Sequence, residues 1–107
     1  EWTRGSCVLI GDACHAMSPS LGQGANVGLE DSSELAAALG PILRTRTGGG
    51  GDASQIQTVL KEFWSSRLDR VSKIHAASRE CRNGTGLDPA FRQWLYSWQP
   101  SFDWKSC

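Results

Sequence analysis

Three kinds of hydrophobic pattern succeed one another along the chain. Cys7-Val8-Leu9-Ile10 is a short unbroken apolar run closed by Gly11-Asp12, the pattern of a parallel strand covered on both faces, with an acidic residue at its carboxyl end. Open α/β sheets place ligand contacts at that end. Pro19, Gly22 and Gly24 then predict sharp turns, after which the period becomes helical. Leu29, Leu35, Ala36, Leu39 and Leu43 recur at helical spacing, which predicts a helix from Ala25 to Leu39 that Gly40-Pro41 ends or bends. A longer helix is predicted from about Ser54 to Arg82. Ile56, Leu60, Phe63, Trp64, Val71, Ile74 and Ser78 form its inner stripe, and Asn83-Gly84 closes it. A third, short helix starts at Asp88 as cap with Pro89 in the first turn, and places Trp94 and Trp98 one turn apart. The aromatic tail, extended by Phe102 and Trp104, is expected to dock on its own protein in preference to a partner or a membrane interface.

The candidate chemistry is concentrated between the strand and the first long helix, from Gly11 to Asp31. An ionised Asp12 only accepts hydrogen bonds, so it suits hydroxyl donors such as those of a sugar or ribityl chain. Capping the turn at Ala13 to Ala16 is the other use of the same carboxylate, and spacing leaves both open. The amides near Gly24, Ala25 and Asn26 fall at a helix N-terminus, where negative charge gains roughly 0.3 to 1 kcal/mol.

Rival sites are weaker. Cys7, Cys14 and His15 lack the paired spacing of a zinc site, so no metal is expected. Cys14 beside His15, and Ser18 with His15 and Asp12, offer the letters of a nucleophilic site. They lack a nucleophile elbow, and adjacent residues seldom converge in the needed geometry. Gly22, Gly24 and Gly28 do not directly follow a strand, and Val27 stands where a dinucleotide fingerprint has its third glycine. His15 and His75 have no evident partner, and packed or surface roles are expected for both.

The stretch G-D-A-C-H-A-M-S-P-S-L-G-Q-G-A-N-V-G-L-E-D, Gly11 to Asp31, resembles the second flavin-binding motif of the FAD-dependent aromatic-ring hydroxylases. That family includes para-hydroxybenzoate hydroxylase, salicylate hydroxylase, kynurenine monooxygenase and zeaxanthin epoxidase. The resemblance extends to W-x-x-G at Trp2 and to L-E-D-x-x-x-L-A from Leu29. More weakly it reaches F-W-x-x-R-x-x-R-V, Phe63 to Val71, and Trp94-Leu95-Tyr96. It implies an α/β parent fold of the Rossmann-like FAD/NAD(P)-binding kind. This chain would be a mostly α C-terminal fragment, with one short strand, a long motif helix, a second long helix and a short C-terminal helix.

The resemblance also implies that Gly11, Asp12, Pro19, Gly22, Gly24, Ala25 and Asn26 contact FAD. Asp12 would meet the ribityl chain, the amides near Gly24 the pyrimidine edge, and Pro19 would line the space shared by flavin, oxygen and substrate. The implied reaction takes electrons from NADPH or NADH and passes one oxygen atom of O2 to an electron-rich aromatic or polyene substrate, by hydroxylation or epoxidation. The cofactor supplies the difficult step, so no side-chain acid, base or nucleophile is assigned. Cys14 stands where the family commonly has a small alanine.

Composition bounds this reading. A chain of 107 residues can form one small domain, burying about 60 to 70% of its unfolded surface. It starts at Glu1, and Met17 is its only methionine, so the expectation is of a longer enzyme whose missing N-terminal part is a partner of this one. Residues 1–45 are expected to complete an FAD-binding domain, 46–53 to form a glycine-rich linker, and 54–107 to pack helically on that domain. Net charge is zero, from 11 basic and 11 acidic residues, which argues against nucleic acid or an anionic membrane as partner. Arg67, Arg70, Lys73, Arg79 and Arg82, interrupted by Glu62, Asp69 and Glu80, are expected to form a solvated, ion-paired face. Cys7 and Cys14 are expected to be free, buried thiols, and the four cysteines, at 7, 14, 81 and 107, lack framework spacing, which suits an intracellular setting with the compartment unassigned. Two function classes follow: the FAD-binding portion of a monooxygenase, or a truncated non-catalytic remnant acting as an interaction module.

Overall fold

The computed structural model describes residues 1–44, 52–84 and 86–101. The Gly48 to Gly51 run, most of the expected linker 46–53, and Phe102, Trp104 and Cys107 lie outside the described residues. What is described is mostly helical: a two-stranded hairpin, a compact loop and four helices.

Strands β1 (Thr3–Arg4) and β2 (Cys7–Val8) pair antiparallel, with Thr3 opposite Val8 and Arg4 opposite Cys7. Gly5 turns the chain at φ +58°, the left-handed backbone that a two-residue hairpin turn demands of its first position. Leu9 N–H adds a bond to Trp2 O at 2.8 Å. The expected covered parallel strand is thus corrected. Its apolar run forms one arm of a hairpin, because the two-residue turn brings a pairing strand within immediate reach. The buried thiol expected at Cys7 is corrected with it, since Cys7 is exposed on this arm, and Leu9 is 49% exposed.

Helix α1 (Asp12–His15) is a single turn entered through Gly11, and the 3-10 turn Pro19–Leu21 ends at Gly22, whose N–H bonds Pro19 O at 2.9 Å. Helix α2 spans Gly24–Arg44 and runs through Pro41. Of the two outcomes expected at Gly40-Pro41, an end or a bend, the end does not occur, since one lost ladder bond is a small fraction of those in a 21-residue helix. The leucine spacing that marks α2 as a helix does not mark its buried face. Val27, Glu30 and Asp31 are the residues it buries, while Leu29 is 70% and Leu43 52% exposed and Ala36 faces outward.

Helix α3 (Ala53–Arg82) behaves as its periodicity predicts. Leu60, Phe63, Val71, Ile74 and Ser78 are buried, with Ile56 and Trp64 half-buried. Asp52 caps it by accepting Ser54 N–H at 3.1 Å, and Asn83 with Gly84 at φ +87° ends it as expected. Helix α4 (Pro89–Tyr96) is capped by Asp88, whose carboxylate accepts Phe91 N–H at 2.9 Å. It ends before Trp98, so Trp94 and Trp98 do not share a helical face. Val27, Val71, Ile74 and Leu95 form the central apolar cluster, with Trp2, Met17, Phe91 and Trp94 packed against it. Hairpin, loop, α2, α3 and α4 therefore meet at one core, and the described part of the aromatic tail docks on its own protein.

Candidate functional site

The segment from Gly11 to Gln23 lies between the hairpin and α2, and its turns are made where glycine permits them. Gly11 sits at φ +58° and accepts Cys14 N–H and His15 N–H at 3.1 and 3.0 Å, closing α1. It also passes close under α2, since a Cβ added to Gly28 would come 3.6 Å from Gly11 Cα.

Asp12 follows, exposed to solvent. Its carboxylate accepts no hydrogen bond among the described residues, and α1 has no side-chain cap. The capping use of Asp12 is therefore absent from this structure. The same carboxylate lies against the start of α2, where a Cβ added to Gly24 would sit 3.8 Å from Asp12 Oδ1. The first ladder bond of α2 is Val27 N–H to Gln23 O at 2.9 Å, which leaves the amides of Gly24, Ala25 and Asn26 ahead of it without intrahelical partners. Pro19 is exposed at the head of the 3-10 turn, and Gly22, at φ +62°, faces open space. The fold thus brings Asp12 to the α2 N-terminus, whereas no described contact joins Pro19 or Gly22 to Asp12.

Behind this exposed edge lies a buried ionic chain. Asp31, fully buried, accepts Gly11 N–H at 3.0 Å and faces His15 Nε2 at 2.5 Å through one oxygen. Its other oxygen accepts Arg67 Nε at 2.8 Å. Arg67 Nη2 reaches Glu30 at 2.9 Å, and Glu30 in turn accepts Arg70 Nε and Nη2 at 2.7 and 2.6 Å. Arg70 ends the chain by donating to Leu95 O at 3.0 Å and lying over the Trp94 ring, 4.9 Å from its centroid. The arginine fork suits this two-carboxylate arrangement in a way that a lysine would not.

The expectation of a solvated basic face is therefore corrected for Arg67, only 3% exposed, and for Arg70, because both are drawn inward by Glu30 and Asp31. Lys73 and Asp69 keep the expected exposed pairing at 2.8 Å. His15 has the partner that its sequence neighbours did not reveal. Spacing held a clue, since Arg67 falls on the Leu60, Phe63, Val71, Ile74 stripe, and an inward arginine requires carboxylates opposite.

Ser78 is fixed on the far side of the loop. Its hydroxyl donates to Ser18 O at 2.7 Å, and its carbonyl accepts Ser20 Oγ–H at 2.7 Å. Cys14 is half-buried, its thiol donating to Gly11 O at 3.3 Å. Burial first, and the Asp31 carboxylate second, push this thiol up to about 11, against a smaller lowering by its backbone bond. It is held neutral, the opposite of what a nucleophile or a metal ligand needs. Cys14, His15 and Asp31 do converge, with ligand atoms within 4.8 Å of one another, but both Asp31 oxygens are already engaged by protein donors. The hydrolase letters separate as well, because His15 turns to Asp31 and Ser18 Oγ pairs with Ser20 Oγ at 2.8 Å. No described helix is long and apolar enough to cross a membrane.

The model of the FAD binding domain family matches residues 1–75. The chain belongs to the FAD binding domain family. It is 41% identical over 79 residues to an FAD-dependent monooxygenase of Penicillium brasilianum, a match covering 74% of this chain and 17% of that protein. An FAD-dependent monooxygenase of Hypoxylon pulicicidum is 42% identical over 79 residues, with the same coverages. One of Penicillium paxilli is 40% identical over 82 residues, covering 73% of this chain and 16% of the relative. The chain thus spans about a sixth of the length of the relatives it matches. No solved structure matches it.

Proposed function

We propose that this chain is the flavin-contacting part of an FAD-dependent monooxygenase that hydroxylates or epoxidises an electron-rich aromatic or polyene substrate with NADPH or NADH and O2. The observation that carries the reading is Asp12, an exposed carboxylate with no described hydrogen bond, set against the open amide end of α2. A charge left free beside unpartnered N–H groups is arranged for a ligand carrying both hydroxyl donors and an electron-rich edge.

Asp12 would accept from ribityl hydroxyls. The amides of Gly24, Ala25 and Asn26 would face negative charge at the ring's pyrimidine edge, their donors oriented before any ligand arrives. Gly24 has no Cβ where that approach is made. Gly11 and Gly22 supply the left-handed turns on either side, and Pro19 presents an apolar, donor-free surface that keeps water from the reacting space. When bound, FAD takes electrons from the nicotinamide and activates O2. Cys14 is held as a neutral thiol, so the share proposed for this loop is binding, orientation and exclusion of water.

The test is the absorbance spectrum of the intact enzyme, before and after NADPH or NADH under anaerobic conditions. A flavin spectrum that bleaches with the nicotinamide is expected. A protein still colourless after incubation with FAD would remove this reading and leave the non-catalytic alternative.

A further inference from the structure

Asp12 and Pro19 share an arrangement that their own contacts do not explain. Each is exposed, and each lies between two residues that are tied to the interior. Asp12 stands between Gly11 and His15, both bonded to Asp31. Pro19 stands between Ser18 and Ser20, both bonded to Ser78. The two anchors have no exposed surface, at 0% each, so neither can touch a bound ligand.

Asp31 is in turn held by Arg67, and Ser78 lies on the same inward stripe of α3 as Arg67. Helix α3 therefore fixes one end of the loop directly through Ser78 and, through Arg67, holds the α2 carboxylate that fixes the other end. The Gly11 tie is geometrically demanding. At φ +58° its N–H turns inward to Asp31, and the next side chain, Asp12, is turned outward to Gly24.

We propose that Asp31, oriented by Arg67, and Ser78 are positioning residues of the flavin site, holding Asp12 and Pro19 respectively at the angle the cofactor requires. The proposal rests on the reading of Asp12 as an FAD ligand. Removing the Asp31 carboxylate charge, or the Ser78 hydroxyl that holds Ser18 while the Ser78 carbonyl keeps Ser20, loosens the loop so that the exposed residue between the ties no longer stays aimed at the cofactor, and affinity falls without loss of any direct contact.

The experiment is FAD titration of the apo form of the intact enzyme, carrying Asp12→Ala, Asp31→Asn, Ser78→Ala or Leu60→Ala. Each is measured below its own unfolding temperature, and the visible circular dichroism of the bound flavin is recorded. Leu60 is buried on α3 and makes neither tie, so it controls for general loss of stability. Asp31→Asn should weaken FAD binding about tenfold and Ser78→Ala about threefold, both with an altered flavin dichroism, in keeping with the loss of one charge-assisted and one neutral buried hydrogen bond. Leu60→Ala should leave both readouts unchanged.

Should Asp31→Asn fail to fold, Ser78→Ala, which deletes a single hydroxyl, carries the test. Equal weakening in Leu60→Ala and the anchor variants overturns the positioning role. So does unchanged binding in the anchor variants while Asp12→Ala loses FAD. Unchanged binding in Asp12→Ala itself overturns the function proposed above.

Discussion

Helices α2 and α3 pack on each other with opposite habits. α3 turns its apolar stripe inward, Leu60, Phe63, Val71 and Ile74, and leaves most of its charge outside. α2 turns Glu30 and Asp31 inward beside Val27 and leaves Leu29 and Leu43 outside. The interface between them is thus apolar toward Ile74 and ionic toward Arg67. Apolar burial is non-directional and scales with area, so it holds the helices together without fixing the loop beside them. The ionic part is directional: each Asp31 oxygen is assigned, one to Arg67 and the other to Gly11 and His15. The difference between the two helices separates adhesion from aim, and aim is what the loop needs.

Replacing one member of each part should expose that difference. Arg67→Met takes the arginine partner from a fully buried carboxylate, leaving it Gly11 N–H and His15, and should cost about 3 to 5 kcal/mol in denaturant unfolding. The double variant Arg67→Met/Asp31→Asn should recover much of that, and a single variant no worse than the double would erase the distinction drawn between the two parts. In the apolar part, Ile74→Val should cost about 0.5 to 1.5 kcal/mol by the same measurement, with FAD affinity intact. On the solvent side, Lys73→Ala breaks an exposed pair with Asp69 and should change stability by less than about 1 kcal/mol.

Cys14 gives the contrast a pH dependence. Its folded-state thiol binds its proton more tightly than the ordinary thiol at 9.0, so its stabilising contribution is complete below about that pH and is lost as pH rises toward about 11. Melting temperature against pH should therefore fall less steeply over that range in Cys14→Ala. Iodoacetamide near pH ~8, followed by mass spectrometry, should label exposed Cys7 well ahead of Cys14.

Much of this was legible in the sequence where one residue type carries one physical requirement. The α3 stripe, the Asp88 cap with Pro89 and the Asn83-Gly84 stop all follow from local rules of helices. The turn at Gly22 and the start of α2 near Gly24 follow from the same local rules. What could not be read was pairing across distance. Glu30 and Asp31 meet Arg67 and Arg70 over separations of 36 to 40 residues, and charges on helices more often mark a solvated face. That default also hid the true inner face of α2, since leucines at helical spacing outweigh two carboxylates in any hydrophobic pattern. The Cys7 to Ile10 run misled for a related reason: an apolar run does not disclose its partner strand, and Gly5 had already supplied an antiparallel one.

The most direct test of the account is the flavin content of the intact enzyme purified with Asp12→Ala beside the unaltered protein. Asp12 has no described structural bond to lose, so the variant should fold as the parent does and retain markedly less FAD, a charged acceptor being worth about 1.5 to 3 kcal/mol when bonded. Equal flavin content in the two proteins would contradict the assignment of this loop to the cofactor.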